Sequence, residues 1–90
     1  MQQVRVDLGR VVATPTALAE LTSEDLLRSL GRHAQGDWGE VDDEDWAEND
    51  RALLVGERLL SVYRSAGGRK FWVITEADRS STCVLLPSDY

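Results

Sequence analysis

Three strand-forming segments follow one another in the last third of the chain, and their spacing limits the possible folds more than any other feature. Residues 59–65, 70–75 and 81–86 are rich in Val, Ile, Tyr, Phe, Trp and Thr. Short loops at residues 66–68 and 76–80 join them. Connections this short link antiparallel neighbours, so the sequence predicts a C-terminal antiparallel meander.

The N-terminal residues predict one more strand. Val4, Val6 and Leu8 alternate with charged residues, which is the period of a half-buried strand. Gly9 is expected to bend this strand before the valine pair that follows.

Two helices are predicted between this strand and the middle of the chain. Thr14 followed by Pro15 is typical of a helix N-terminus, and this short helix should end near residue 21. Thr22 with Asp25 three residues later resembles a capping box and opens a second helix. Gly36 is expected to terminate it.

A glycine-rich turn and a third helix complete the middle of the chain. Residues 36–39 predict a tight turn that places Trp38 in the core. Asp42 or Asp43 then caps a helix that runs to about residue 54, and Gly56 ends it. The carboxylates of this helix lack the alternating spacing and the glycine of a calcium-binding loop, so no metal is expected.

We predict an α+β fold and a single domain over residues 1–90. Its sheet has three or four antiparallel strands, including the C-terminal meander, and two or three helices pack on one face. Ninety residues support one modest core. The expected core residues are Trp38, Trp46, Trp72, Leu30, Leu53, Leu60, Val62, Ile74, Val84 and Leu86.

Residues 37–50 concentrate the negative charge of the chain, and we call them the acidic segment. Eight of these fourteen residues are acidic and none is basic, whereas the rest of the chain holds 8 acids and 10 bases. The net charge of −6 therefore originates here. Such a surface repels nucleic acids and anionic membranes and attracts basic proteins. The candidate binding residues are Asp37, Trp38, Glu40, Asp42, Asp43, Glu44, Asp45 and Glu48.

The single cysteine and the absence of long apolar runs indicate the cellular setting. Cys83 alone forms no intramolecular disulfide and no cysteine-rich zinc site, which fits a reducing compartment. No apolar run approaches the roughly 18 residues of a membrane span, and the N-terminus lacks the pattern of a signal peptide. We therefore expect a cytoplasmic protein that binds no membrane and no cofactor.

Several strings of residues resemble a known family. They are His33 with the GDWGE that follows, Glu48-Asn49, residues 56–63 and residues 70–90, which include ITEADRS; VATP at 12–15 also matches. In these features the chain is similar to small bacterial proteins carried on plasmids and integrative elements, named "plasmid-related protein" or "type I restriction endonuclease subunit M". The resemblance covers nearly the whole chain and implies a mobile-element context, without an established activity.

The methyltransferase name does not fit the chemistry of the chain. A DNA adenine methyltransferase needs a Rossmann-like domain with a glycine-rich cofactor loop and a proline-containing loop for the flipped base. The chain has only Pro15 and Pro87 and no glycine-rich loop between a strand and a helix. Ninety residues are too few for that domain.

The element order also resembles the RelE/ParE-type toxin fold. In its ribonuclease members, Arg, Lys and Tyr side chains of the sheet surround the scissile phosphate and stabilise it without a metal. By this resemblance the candidate catalytic residues are Tyr63, Arg64, Lys70 and Arg79. Such toxins are usually strongly basic, in contrast to the net charge of −6.

Two function hypotheses follow. The first is a non-enzymatic interaction protein of a mobile genetic element that presents the acidic segment to a basic host or defence-system protein. It rests on the segregated charge and on the lack of a complete catalytic set. The alternative is a metal-independent ribonuclease toxin.

Three further features have more than one interpretation. His33 would be a general base if Asp37 or Glu40 oriented it, or it caps helix carbonyls. The polar loop at residues 75–80 is either functional or composed of turn formers. The last strand, residues 81–86, is apolar on both faces, so at a sheet edge it would support a symmetric homodimer.

Overall fold

Seven helices and strands follow one another in residues 4–90, the part of the chain that the structure, a computed structural model, describes. They confirm the predicted α+β class. The elements are β1 (Arg10–Ala13), α1 (Pro15–Glu20), α2 (Ser23–Ala34), α3 (Asp43–Val55), β2 (Leu59–Arg64), β3 (Lys70–Thr75) and β4 (Ser81–Leu85), and a 3-10 turn, Pro87–Asp89, follows β4.

All three helices begin at the predicted capping residues. Thr14 caps α1, and its hydroxyl accepts a hydrogen bond from the Ala17 amide at 3.1 Å. Thr22 and Asp25 form the predicted capping box, with both reciprocal hydrogen bonds at 3.0 Å. Asp42 is the cap of α3. These local signals fix where each helix starts because they satisfy amide groups that have no partner within the helix.

The strands form one mixed sheet in the order β1-β4-β3-β2. Strands β2, β3 and β4 form the predicted antiparallel meander. Strand β1 lies parallel to β4, so the sheet is not antiparallel throughout as the sequence predicted. A parallel pair requires a long crossover, and the segment from α1 to β3 provides it.

The strand predicted at Val4 to Leu8 is not formed. Residues 4–9 are irregular, and β1 begins at Arg10. Val6 is nevertheless buried beside Trp38, and its amide donates to the Ala34 carbonyl at 3.0 Å. Of the alternating apolar residues, Val6 is buried and Leu8 half-buried, whereas Val4 is exposed, so a period of two here accompanies an irregular segment that is only partly buried.

Strand β4 does not lie at an edge, so that premise of the predicted homodimer is wrong. It pairs with β1 on one side and β3 on the other. Its apolar character on both faces matches this central position. The two edges of the sheet are β1 and β2.

The sheet has an inner face that the helices cover and an outer face that carries no helix in the described part of the chain. On the inner face, Leu59, Tyr63 and Phe71 are among the buried residues that pack against the helices. On the outer face, Leu60, Val62 and Trp72 are half-buried. The predicted arrangement of helices on one face is thus confirmed.

The predicted core is divided between fully buried and half-buried side chains. The fully buried ones are Trp38, Ile74, Val84 and Leu86. The half-buried ones are Trp46, Trp72, Leu30, Leu53, Leu60 and Val62. Among residues 4–90, no helix has the length and apolar character required to cross a membrane.

Candidate functional site

A groove of about 560 Å³ lies where the N-terminal half of α3 meets the outer face of the sheet. We call it the acidic groove. Its floor is apolar and comes from β2 and β3, whereas its wall comes from the acidic segment. The floor residues are Leu60, Val62 and Trp72, and the wall residues are Glu40, Val41, Asp42, Asp45, Glu48 and Asn49.

Asn49 holds the wall of the groove against the edge strand β2. Its side-chain amide donates to the Leu60 carbonyl at 2.7 Å, and its side-chain oxygen accepts from the Leu60 amide at 3.1 Å. Asn49 is 7% exposed. One buried side chain thus satisfies both backbone groups of a residue at the sheet edge, which fixes α3 beside the outer face.

The turn before α3 closes the same edge through its backbone. The Val62 amide donates to the Trp38 carbonyl at 3.0 Å, and the Glu40 amide donates to the Val62 carbonyl at 2.7 Å. Gly39 lies between them with a φ of +77°, and a Cβ there would stand 2.0 Å from the Val62 carbonyl oxygen. Only glycine permits this approach, which explains the second glycine of the GDWG turn.

The groove carries more negative than positive charge. Glu40 pairs with Arg64 at 3.0 Å and Glu48 pairs with Arg51 at 2.9 Å. Among residues 4–90 no basic side chain lies within ion-pair distance of Asp45. The Asp45 carboxylate is exposed, so a cation entering the groove would meet it without displacing a partner.

Four of the eight predicted binding residues line the groove, and the other four lie elsewhere. Asp37 forms two hydrogen bonds with Arg32, at 2.8 and 3.2 Å, and these lower the pKa of its carboxyl group. Trp38 is fully buried and its indole N–H donates to Asp50, so it offers no binding surface. Asp43 and Glu44 lie on α3 and face solvent outside the groove.

Sequence reasoning did not assign the apolar floor to the site. Leu60, Val62 and Trp72 were expected in the core because they belong to strands rich in β-branched and aromatic residues. These strands are formed, but the sheet face that carries the three side chains has no α-helix of residues 4–90 on it. The distinguishing signal is that β2 is apolar on both faces, which is more than one covered face requires.

An aromatic pair borders the outer face near the groove. The rings of Trp72 and Tyr90 meet edge to face with centroids 5.6 Å apart. The Arg58 guanidinium lies 5.5 Å from the centre of the Tyr90 ring and donates to its hydroxyl at 2.8 Å. Tyr90 thus packs against the Trp72 ring, and Arg58 holds Tyr90 in place.

His33 is fully buried and does not contact Asp37 or Glu40, contrary to the general-base interpretation. Its Nδ1 lies 2.6 Å from the Ser61 hydroxyl, and its Nε2 lies 2.8 Å from the Thr75 hydroxyl. Burial, together with the charge of Arg79, lowers its pKa to about 4. His33 is therefore neutral near pH 7 and inaccessible to a substrate.

The Leu8 carbonyl, which can only accept, fixes the direction of each hydrogen bond in the buried network around His33. The Thr82 hydroxyl donates to the Leu8 carbonyl at 2.7 Å, so it accepts from Thr75, 2.7 Å away. Thr75 then accepts from His33 Nε2–H, which leaves Nδ1 to accept from Ser61. The network links α2 to β2, β3 and β4 and to the N-terminal segment, so it positions these elements.

The four residues of the ribonuclease alternative do not converge. Tyr63 lies on the inner face, where burial raises the pKa of its hydroxyl and the hydroxyl donates to the Asp37 carbonyl. Arg64 and Lys70 lie opposite each other at one end of the sheet. Arg79 follows the other end of β3 and donates to backbone carbonyls of the surrounding loops.

The polar loop after β3 uses its side chains for its own conformation. Asp78 accepts a hydrogen bond from the Ser80 amide at 2.9 Å, and hydrogen bonds from Ser80 lower the pKa of this carboxyl group. Arg79 adopts a positive φ of 62°. Thr75 belongs to the buried network. This geometry supports the turn-forming interpretation of residues 75–80.

Within residues 4–90, no three His, Cys, Asp or Glu side chains come together in a group that could hold a metal ion. A comparison of the chain with protein-family models, with curated proteins and with solved structures finds no match. The functional interpretation therefore depends on the geometry and charge of the acidic groove.

Proposed function

We propose that this chain is a non-enzymatic interaction protein of a mobile genetic element, and that its acidic groove binds a basic segment of a host or defence-system protein. The mobile-element context rests on the family resemblance alone. The choice of a basic protein segment rests on the groove. The observation that carries it is that the unneutralised carboxylate of Asp45 and the half-buried ring of Trp72 line one concavity.

The two surfaces of the groove suit an arginine or lysine side chain. Its aliphatic stem would lie on Leu60, Val62 and the Trp72 ring, as long basic side chains do on apolar surfaces. Its charged end would meet Asp45. A cation beside a tryptophan ring contributes about 0.5–1 kcal/mol at exposed sites. Exposed ion pairs contribute a similar amount, so the affinity should come from several such contacts and fall with salt.

Two charge reversals on one helix test this proposal. Asp45 and Asp43 are both exposed and both lie in the first turn of α3, but only Asp45 lines the groove. The probe is a synthetic peptide that alternates arginine with leucine, and titration calorimetry measures its affinity. Asp45→Lys should weaken binding about tenfold, or about 1.4 kcal/mol. Asp43→Lys, with the same change in net charge, should weaken it less than about threefold.

Three outcomes would contradict the proposal. Equal losses in both variants would mean that the peptide senses net charge and not the groove. Affinity that does not change between low and high salt would mean that the carboxylates do not contribute. No binding of the wild type at millimolar peptide would exclude the groove as a site for basic segments.

A further inference from the structure

The edge strand β1 directs backbone hydrogen-bonding groups away from the molecule. The amides of Arg10 and Thr14 donate to the carbonyls of Ser80 and Val84, each at 3.0 Å. Successive residues of a strand point their backbone groups to opposite sides, so of the three residues between these contacts only Val12 directs its N–H and C=O groups toward β4. Those of Val11 and Ala13 therefore point outward from β4.

This edge lacks most of the features that prevent strands from pairing. Residues 10–13 contain one charged residue and no proline. Val11 and Val12 are 46% and 40% exposed. No other strand of residues 4–90 lies on this side of the sheet.

We infer that β1 pairs antiparallel with β1 of a second copy of this chain, so that two four-stranded sheets become one sheet of eight strands. The outward groups define the register. Val11 lies opposite Ala13 of the second copy, and Val12 lies opposite Val12 of the second copy. Two hydrogen-bonded pairs then form four hydrogen bonds around a central valine pair.

Charge and symmetry select a second copy as the partner. The acidic groove lies over β2 and β3, toward the opposite edge of the sheet. With strands about 4.8 Å apart, the two grooves of the dimer would be separated by about 30 Å, well beyond the Debye length of about 10 Å. A two-fold interface needs only one self-complementary patch, which this short strand provides. The inference does not depend on the proposed function of the groove.

Cysteine substitution tests the register directly. Val12 lies beside Cys83 on β4, so the test uses Cys83→Ser as its background. In a pair that is not hydrogen-bonded, the two Cα atoms at position 12 would lie about 4.5 Å apart, a distance that permits a disulfide. Val12→Cys should therefore form a disulfide-linked dimer under mild oxidation. The two Cα atoms at position 11 would be about 8 Å apart, which is too far for a disulfide. The matched variant Val11→Cys should therefore not form the linked dimer.

Light scattering provides the second measurement, on the wild type and on two variants of Val12. The wild type at high micromolar concentration should have twice the 10.0 kDa mass of one chain. Val12→Thr should remain dimeric, whereas Val12→Lys places two like charges opposite each other and should be monomeric. A wild-type monomer would overturn the inference. A dimer that persists in Val12→Lys, or equal crosslinking at positions 11 and 12, would overturn the assignment to β1.

Discussion

The two edge strands of the sheet differ in whether the rest of the chain forms hydrogen bonds with their outward backbone groups. At β2, the Asn49 side chain satisfies both backbone groups of Leu60, and the turn around Gly39 bonds to Val62 on either side. At β1, alternate residues point their backbone N–H and C=O groups outward, away from β4. One edge is therefore covered by the chain itself, while the other can accept a strand.

At the covered edge, the acidic segment also packs against the sheet. The neutral residues Trp38, Gly39 and Asn49 make most of the contacts between the acidic segment and the sheet. Acidic residues of the segment are exposed instead, among them Asp42, Asp43, Glu44, Asp45 and Glu48. Composition alone describes this segment as a concentration of negative charge. In the acidic segment, the residues that pack against the sheet are therefore largely different from the charged residues that line the groove.

Replacing Gly39 should give the largest effect on the covered edge. Gly39→Ala places a Cβ 2.0 Å from the Val62 carbonyl oxygen at a positive φ. The left-handed conformation costs roughly 1–2 kcal/mol, and losing the two flanking hydrogen bonds costs about 1 kcal/mol each. We expect the free energy of unfolding, measured in urea, to fall by about 4 kcal/mol.

Gly56 is the matched control for that substitution. Its φ of +78° is nearly the same as that of Gly39, but a Cβ there would meet nothing within 4 Å. Gly56→Ala should therefore cost only the conformational penalty of roughly 1–2 kcal/mol. Equal losses in the two variants would show that contact with the edge strand does not matter at Gly39.

Lowering the pH should have the next largest effect. It should reduce the free energy of unfolding through His33, which lies in the core between the two edges. The pKa of His33 is about 4 in the folded protein and 6.5 when exposed, so the unfolded state binds more protons between these values. Stability is therefore full above pH 6.5 and is lost as the pH falls toward 4. The loss should reach about 3 kcal/mol, which unfolding curves across this range measure.

The variant His33→Gln separates this effect from the carboxylates. The chain contains one histidine, so its removal should flatten the dependence of stability on pH between about 6.5 and 4. Carboxyl groups with lowered pKa values, such as those of Asp25 and Asp37, lose their contribution mainly below this window. An unchanged slope in His33→Gln would contradict the assignment.

Removing Asn49 should have a smaller effect and should open part of the covered edge. Asn49→Ala leaves the N–H and C=O groups of Leu60 without their side-chain partners, at a cost of about 2 kcal/mol. Hydrogen exchange by mass spectrometry, at protein concentrations that favour the monomer, should show slow exchange at Leu60 and fast exchange at Val11. In Asn49→Ala the Leu60 amide should exchange much faster. Equal exchange at both edges of the wild type would contradict the comparison.

The parts of the fold that local signals determine could be predicted from the sequence. The caps at Thr14, Thr22 and Asp42 act within three residues, and the meander follows from short loops, so these predictions were confirmed. Within the site, the four acidic wall residues were predicted from charge alone. These features require no knowledge of distant contacts.

Distant pairings explain what the sequence did not reveal. The parallel pairing of Arg10 with Ser81 joins residues far apart in the chain, and the alternation at Val4 to Leu8 was wrongly assigned to a strand. His33 finds its partners 28 and 42 residues away. The role of Trp72 depends on which face of the sheet remains without a helix, and only the assembled fold decides that.

The most direct test of the acidic groove is an NMR titration with the arginine–leucine peptide, followed through the tryptophan indole signals. We expect the Trp72 signal and the amide signals around Asp45 to shift together and to saturate. The indole of Trp38, buried and bonded to Asp50, should stay in place, as should the amides of β1. Shifts confined to Asp43 and its neighbours, with Trp72 unchanged, would contradict binding in the groove.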